Sequence, residues 1–80
     1  MKSSNQFRDQ LIYLLERGHT HRECRAELRF MHSVAAASLA ELYLSGKIDE
    51  TQFADMSVDL AHDLREAQSF LRCKFGYLRI

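Results

Sequence analysis

Tyr43-Leu44-Ser45-Gly46-Lys47-Ile48-Asp49-Glu50-Thr51-Gln52-Phe53 is the stretch whose reading decides the fold. Gly46 ends an apolar run with helical spacing, the place for a left-handed C-terminal cap, because glycine has no Cβ to penalise that conformation. Asp49 stands three residues before Gln52, and such a pair satisfies two otherwise orphaned N–H groups at a helix start. A stop and a start this close leave room only for a tight turn, so the flanking helices fold back as an antiparallel hairpin.

Working outward, the second helix carries Cys24, Leu28, Met31, Ala35, Ser38 and Leu42 at alternating steps of four and three, a heptad seam. The third repeats it at Phe53, Ser57, Leu60, Leu64, Ala67 and Leu71. Folding about Gly46 sets Leu42 against Phe53, Ser38 against Ser57 and Cys24 against Leu71, with large residues tending to face small ones. The Ser38–Ser57 layer is thin. Thr20-His21-Arg22-Glu23 is a second capping box, Gly18 and Gly76 mark two further stops, and Ser3 or Ser4 offers a cap for a first helix with Phe7, Leu11, Leu14 and Leu15 on one face. The expectation is an all-α fold in a single domain, 1–80, with helices at about 4–17, 21–45 and 50–75 built on a long hairpin.

Beyond the seam, Arg22, Arg25, Arg29 and His32 share a narrow arc at about 100° per residue, with Phe30 nearby. Further along, this side becomes Ala36, Ala37, Ala40, Tyr43 and Leu44, so the end of the second helix is apolar nearly all round. Such a helix is buried on both sides, by the first helix in part and by a second protomer for the rest, which predicts a homodimeric helical bundle. Tyr77, Leu78 and Ile80 make the terminal stretch apolar enough to tuck onto the first helix or to dock on a partner.

With 11 basic and 11 acidic residues the net charge is zero, which argues against a dedicated nucleic-acid binder while leaving room for a local basic patch. No apolar run approaches a membrane span, and the start lacks the apolar stretch of a secretion signal. The reading is a cytoplasmic protein with no membrane contact and reduced cysteines.

Candidate chemistry is sparse. His19, His21 and Cys24 supply three ligand types without the matching half of a zinc site, so no metal is expected. Cys24 and Cys73 lie at similar heights in the hairpin, but Cys73 is far round its helix from the seam, which predicts two free thiols. Asp55, Asp59 and Asp63 recur every four residues as a solvated acidic face. No phosphate loop, nucleophile elbow or paired-histidine motif occurs, so neither enzyme activity nor a cofactor is expected.

Two resemblances bear on function. Leu14-Leu15-Glu16-Arg17-Gly18-His19-Thr20-His21-Arg22-Glu23-Cys24-Arg25-Ala26-Glu27-Leu28 resembles the front half of a helix-turn-helix, implying DNA binding. It departs from that family at Arg25 and at Arg29-Phe30-Met31, which reads as continuing helix, and Met31–Ala37 holds no Arg, Asn or Gln to read bases. Separately, Arg29-Phe30-Met31-His32-Ser33, with Ile48-Asp49, Ala54-Asp55, Leu60, Glu66 and Lys74-Phe75-Gly76, looks like the helical-hairpin RNA-binding regulators of plasmid copy number. That likeness implies a dimer contacting RNA through Phe30 and Arg29. This chain departs by its added first helix and longer second one.

Neutral charge, absent chemistry and excess apolar helical surface together predict a small regulatory or inhibitory protein acting by protein–protein contact, of the kind that phages and plasmids use against host systems. Its contact residues would be Arg22, Arg25, Arg29, Phe30 and His32 toward a partner with an acidic surface, with Ala36, Ala37, Ala40, Tyr43, Leu44, Tyr77, Leu78 and Ile80 toward a second copy or that partner. The alternative is a nucleic-acid-binding regulator.

Overall fold

The computed structural model describes residues 5–75, folded as α1 (Gln6–Glu16), α2 (His21–Leu44) and α3 (Glu50–Lys74). The two stops are Schellman motifs. Gly46 at φ 81° lets its N–H reach the Tyr43 carbonyl at 3.1 Å and the Lys47 N–H reach that of Leu42 at 3.0 Å. Gly18 at φ 86° does the same, its N–H meeting Leu15 O and the His19 N–H meeting Leu14 O, both at 3.1 Å. Gly76 and the apolar stretch Tyr77, Leu78 and Ile80 lie outside the described residues.

Both capping boxes form. The Glu23 N–H donates to Thr20 Oγ1 at 3.2 Å while the Thr20 N–H donates to Glu23 Oε1 at 2.8 Å. At α3 the Gln52 N–H donates to Asp49 Oδ1 at 2.8 Å and the Asp49 N–H to Gln52 Oε1 at 2.9 Å. The start of α1 differs from expectation: its cap is Asn5, whose Oδ1 accepts from the Arg8 N–H at 3.2 Å, and not Ser3 or Ser4. Asn5 is favoured because its amide does a second job. Its Nδ2 donates to the Asp63 carbonyl and to Glu66 Oε1, each at 2.9 Å, so the cap is also a clamp onto α3.

The core lies at the open end of the hairpin, where α1 closes over α2 and α3. Leu11 and Cys24 are fully buried there, among Phe7, Leu14, Leu28, Ala67 and Leu71. Each buried leucine stabilises the fold by roughly 1.5–3 kcal/mol. Toward the turn, beyond Asn5, α2 and α3 have only each other among the described residues. Ser38, assigned to the seam from its spacing, is exposed, whereas Leu39 is buried. A straight helix of 3.6 residues per turn drifts from a strict heptad, and the eleven-residue step from Leu28 returns Leu39 to the seam. At the turn itself the Tyr43 ring stacks on Phe53 with centroids 4.6 Å apart.

The end of α2 is not buried on both sides within the chain. Ala36 and Ala40 are half-buried, Ala37 is exposed, and Leu44 is 82% exposed. The first helix does not reach them. At about 1.5 Å per residue, its 11 residues are too short to span the 24 of α2.

Candidate functional site

The groove between α2 and α3 that α1 leaves open forms a cleft of about 590 Å³. Its α2 wall carries Arg25, Arg29 and His32, and its α3 wall carries Gln68 and Arg72. The floor is apolar: Leu28, Leu64, Leu71 and, at the open end, Phe75. All of these residues belong to the hairpin; none comes from α1.

The helical phase explains this division. On α3, Asp63 and Glu66 face α1 through the Asn5 hydrogen bonds. Gln68 and Arg72 project from the opposite flank at about 100° per residue. On α2, Arg25 and Arg29 are one turn apart, which puts both on the same wall. One end of the cleft is shaped by the His21 ring, which meets Phe75 edge-on at 5.1 Å between centroids. At the other end Phe7 of α1 meets His32 edge-on at 6.4 Å.

Its electrostatics are one-sided. Among the described residues no carboxylate lines the cleft, and Arg25, Arg29 and Arg72 have no acidic partner there. In a chain with equal numbers of acidic and basic residues, that is a local separation of charge. Guanidinium forks held over an apolar floor are suited to carboxylate or phosphate groups carried on an apolar body.

The expected contact residues therefore divide. Arg25, Arg29 and His32 come together in the cleft. Arg22 is exposed but does not line it, and Phe30, 64% exposed, lies on another side of α2. Arg72 and Gln68 were not anticipated. The signal was the phase of α3, since Leu64, Gln68 and Arg72, and likewise Leu71 and Phe75, recur at four-residue steps, but it becomes readable only once the register with α2 is known.

The remaining candidates resolve individually. His19 Nδ1 lies 3.2 Å from the Leu14 carbonyl at the end of α1. Cys24 is buried in the core, and burial, with Glu23 beside it, raises its thiol pKa. Cys73 is exposed on the outside of α3. Among the described residues no group of three His, Cys, Asp or Glu is arranged to hold a metal ion, and no helix is long and apolar enough to cross a membrane. Helix α2 runs unbroken through Arg29-Phe30-Met31, so the second turn of a helix-turn-helix is not formed.

The half of the hairpin nearer the turn also exposes apolar side chains. Leu44, Val58 at 67%, Val34 at 49% and Met56 at 42% are all exposed. Comparison with protein-family models, with curated proteins and with solved structures found no match.

Proposed function

We propose that the chain is a small non-enzymatic regulatory or inhibitory protein that works by protein–protein contact, as a homodimer. The observation that carries this reading is the uncovered apolar surface of the distal hairpin, where Leu44 and Val58 stand in solvent. Large apolar side chains this exposed on regular helices are surface that a second copy could bury. Small helical proteins also gain stability that their own core cannot supply when they associate. The second copy would cover this distal half and leave the basic cleft at the open end for a different partner.

Regulation by occupancy needs only a surface and an affinity, which fits a chain whose polar side chains form caps and clamps. A cytoplasmic location follows from the same reading, in which Cys24 and Cys73 act as thiols. The second reading, a nucleic-acid-binding regulator, draws on Arg25, Arg29 and Arg72 in one cleft. Affinity capture from lysate, run with and without nuclease, separates the two. Protein partners retained at near-equal amounts after nuclease support the contact reading. Partners that vanish with the nucleic acid overturn it.

A further inference from the structure

The cleft invites a more specific assignment, which rests on the protein-contact reading. We infer that it is the docking groove for an acidic amphipathic helix of a partner protein, taken up as the fourth helix of the bundle.

Helix α1 occupies only one of the hairpin's two grooves. Its stripe of Phe7, Leu11 and Leu14 fills one groove of the hairpin and is buried there. The cleft is the groove on the other flank, with its own apolar floor of Leu28, Leu64 and Leu71. From His21 to Ser33 it runs along α2 for about 18 Å at 1.5 Å per residue. That is the length of three helical turns, elongated rather than compact, and matches a helix presenting apolar residues at three- and four-residue steps. The walls then set the charge of the occupant. Arg25 and Arg29 stand on one side and Arg72 on the other, so a docked helix would need carboxylates on both flanks of its apolar stripe.

The floor also separates this occupant from a nucleic acid. Single-stranded nucleic acid is held by aromatic faces on which bases stack; here the mid-floor is Leu28, Leu64 and Leu71, and Phe75 at the open end is engaged edge-on by the His21 ring. Phe30, at 64% the more exposed of the two exposed aromatic residues of α2, lies outside the cleft.

The test is fluorescence anisotropy with the full chain and three labelled probes: a synthetic helical peptide with a leucine stripe flanked by Glu, the same peptide with Gln for every Glu, and an RNA hairpin. The acidic peptide should bind, and changing Glu to Gln should weaken it by about tenfold or more. Replacing Arg25, Arg29 and Arg72 with Ser should do the same. Replacing Arg8, Arg17 and Lys47, which alters net charge equally away from the cleft, should not. Circular dichroism checks that each variant keeps its helices. As a gain-of-function arm, R25E/R29E/R72E should lose the acidic peptide and bind a Lys version. Equal binding of the Glu and Gln peptides, full binding by the arginine-to-serine variant, or tighter arginine-dependent binding of the RNA would each overturn the assignment. A lysate partner that survives nuclease and is still captured by the arginine-to-serine variant would sink the groove alone and leave the contact reading standing.

Discussion

The Asn5 side-chain amide donates to Glu66 Oε1 at 2.9 Å, joining residues 61 positions apart, while its Oδ1 caps α1. One buried side chain thus fixes both where α1 begins and where it sits on α3, and so determines which groove of the hairpin remains open. Asn5→Ala should cost about 1–3 kcal/mol, combining a lost cap with lost buried hydrogen bonds. Asn5→Asp keeps the capping oxygen but sets a second carboxylate beside Glu66, and should also destabilise. Urea denaturation measures both, and hydrogen exchange should show α1 loosening first.

The two halves of the hairpin should respond differently to truncation. Leu11 is fully buried, and Leu11→Ala should cost about 2–5 kcal/mol, a large share of the stability of so small a domain. Leu44→Ser and Val58→Ser remove exposed side chains and should shift monomer stability by no more than about 0.5 kcal/mol. Under the dimer reading these two should instead lower the molar mass seen by light scattering. A mass unchanged by both substitutions would remove the distal hairpin as the dimer contact.

The two thiols should differ sharply in reactivity. Cys73 is exposed and should react promptly with a disulfide reagent at neutral pH. Cys24 is buried, with its pKa raised first by desolvation and then by the charge of Glu23, so it should react only as the chain unfolds. One thiol titrated in buffer and two in denaturant is the expected count.

The capping box at α2 should leave a pH signature. The hydrogen bond to the Thr20 N–H lowers the Glu23 pKa below its ordinary value of 4.5, the charge of His19 adds to this, and desolvation opposes it. A depressed folded-state pKa gives stability that is present above the unfolded value and lost as pH falls through the folded one. The stability difference between the wild-type chain and Glu23→Ala should therefore be constant near neutrality and shrink on acidification below 4.5. Denaturation midpoints measured across that range check it.

Most of the fold was legible because its signals are local. Gly46 and Asp49, or Gly18 and Thr20, act within a few residues of themselves, and the seam is a periodicity within single helices. What stayed hidden depended on residues far apart in sequence. Asn5 reads as one more polar residue in Ser3-Ser4-Asn5 until Asp63 and Glu66 are brought beside it. Arg25, Arg29 and His32 were visible as an arc, but Arg72 joins them only after the hairpin register is set. Ser38 was misplaced and Leu39 passed over because strict heptad spacing does not hold along a straight helix. Phe30 adjoined the arc in sequence without sharing its side of α2, whereas Arg22, seven residues before Arg29, shares that side without lining the cleft.

The most direct measurement is native mass spectrometry of the complex eluted after affinity capture from nuclease-treated lysate. The account predicts two copies of the chain bound to a protein in integral ratio, with no oligonucleotide mass. A chain that elutes alone, or as a complex with an RNA or DNA fragment, would contradict it.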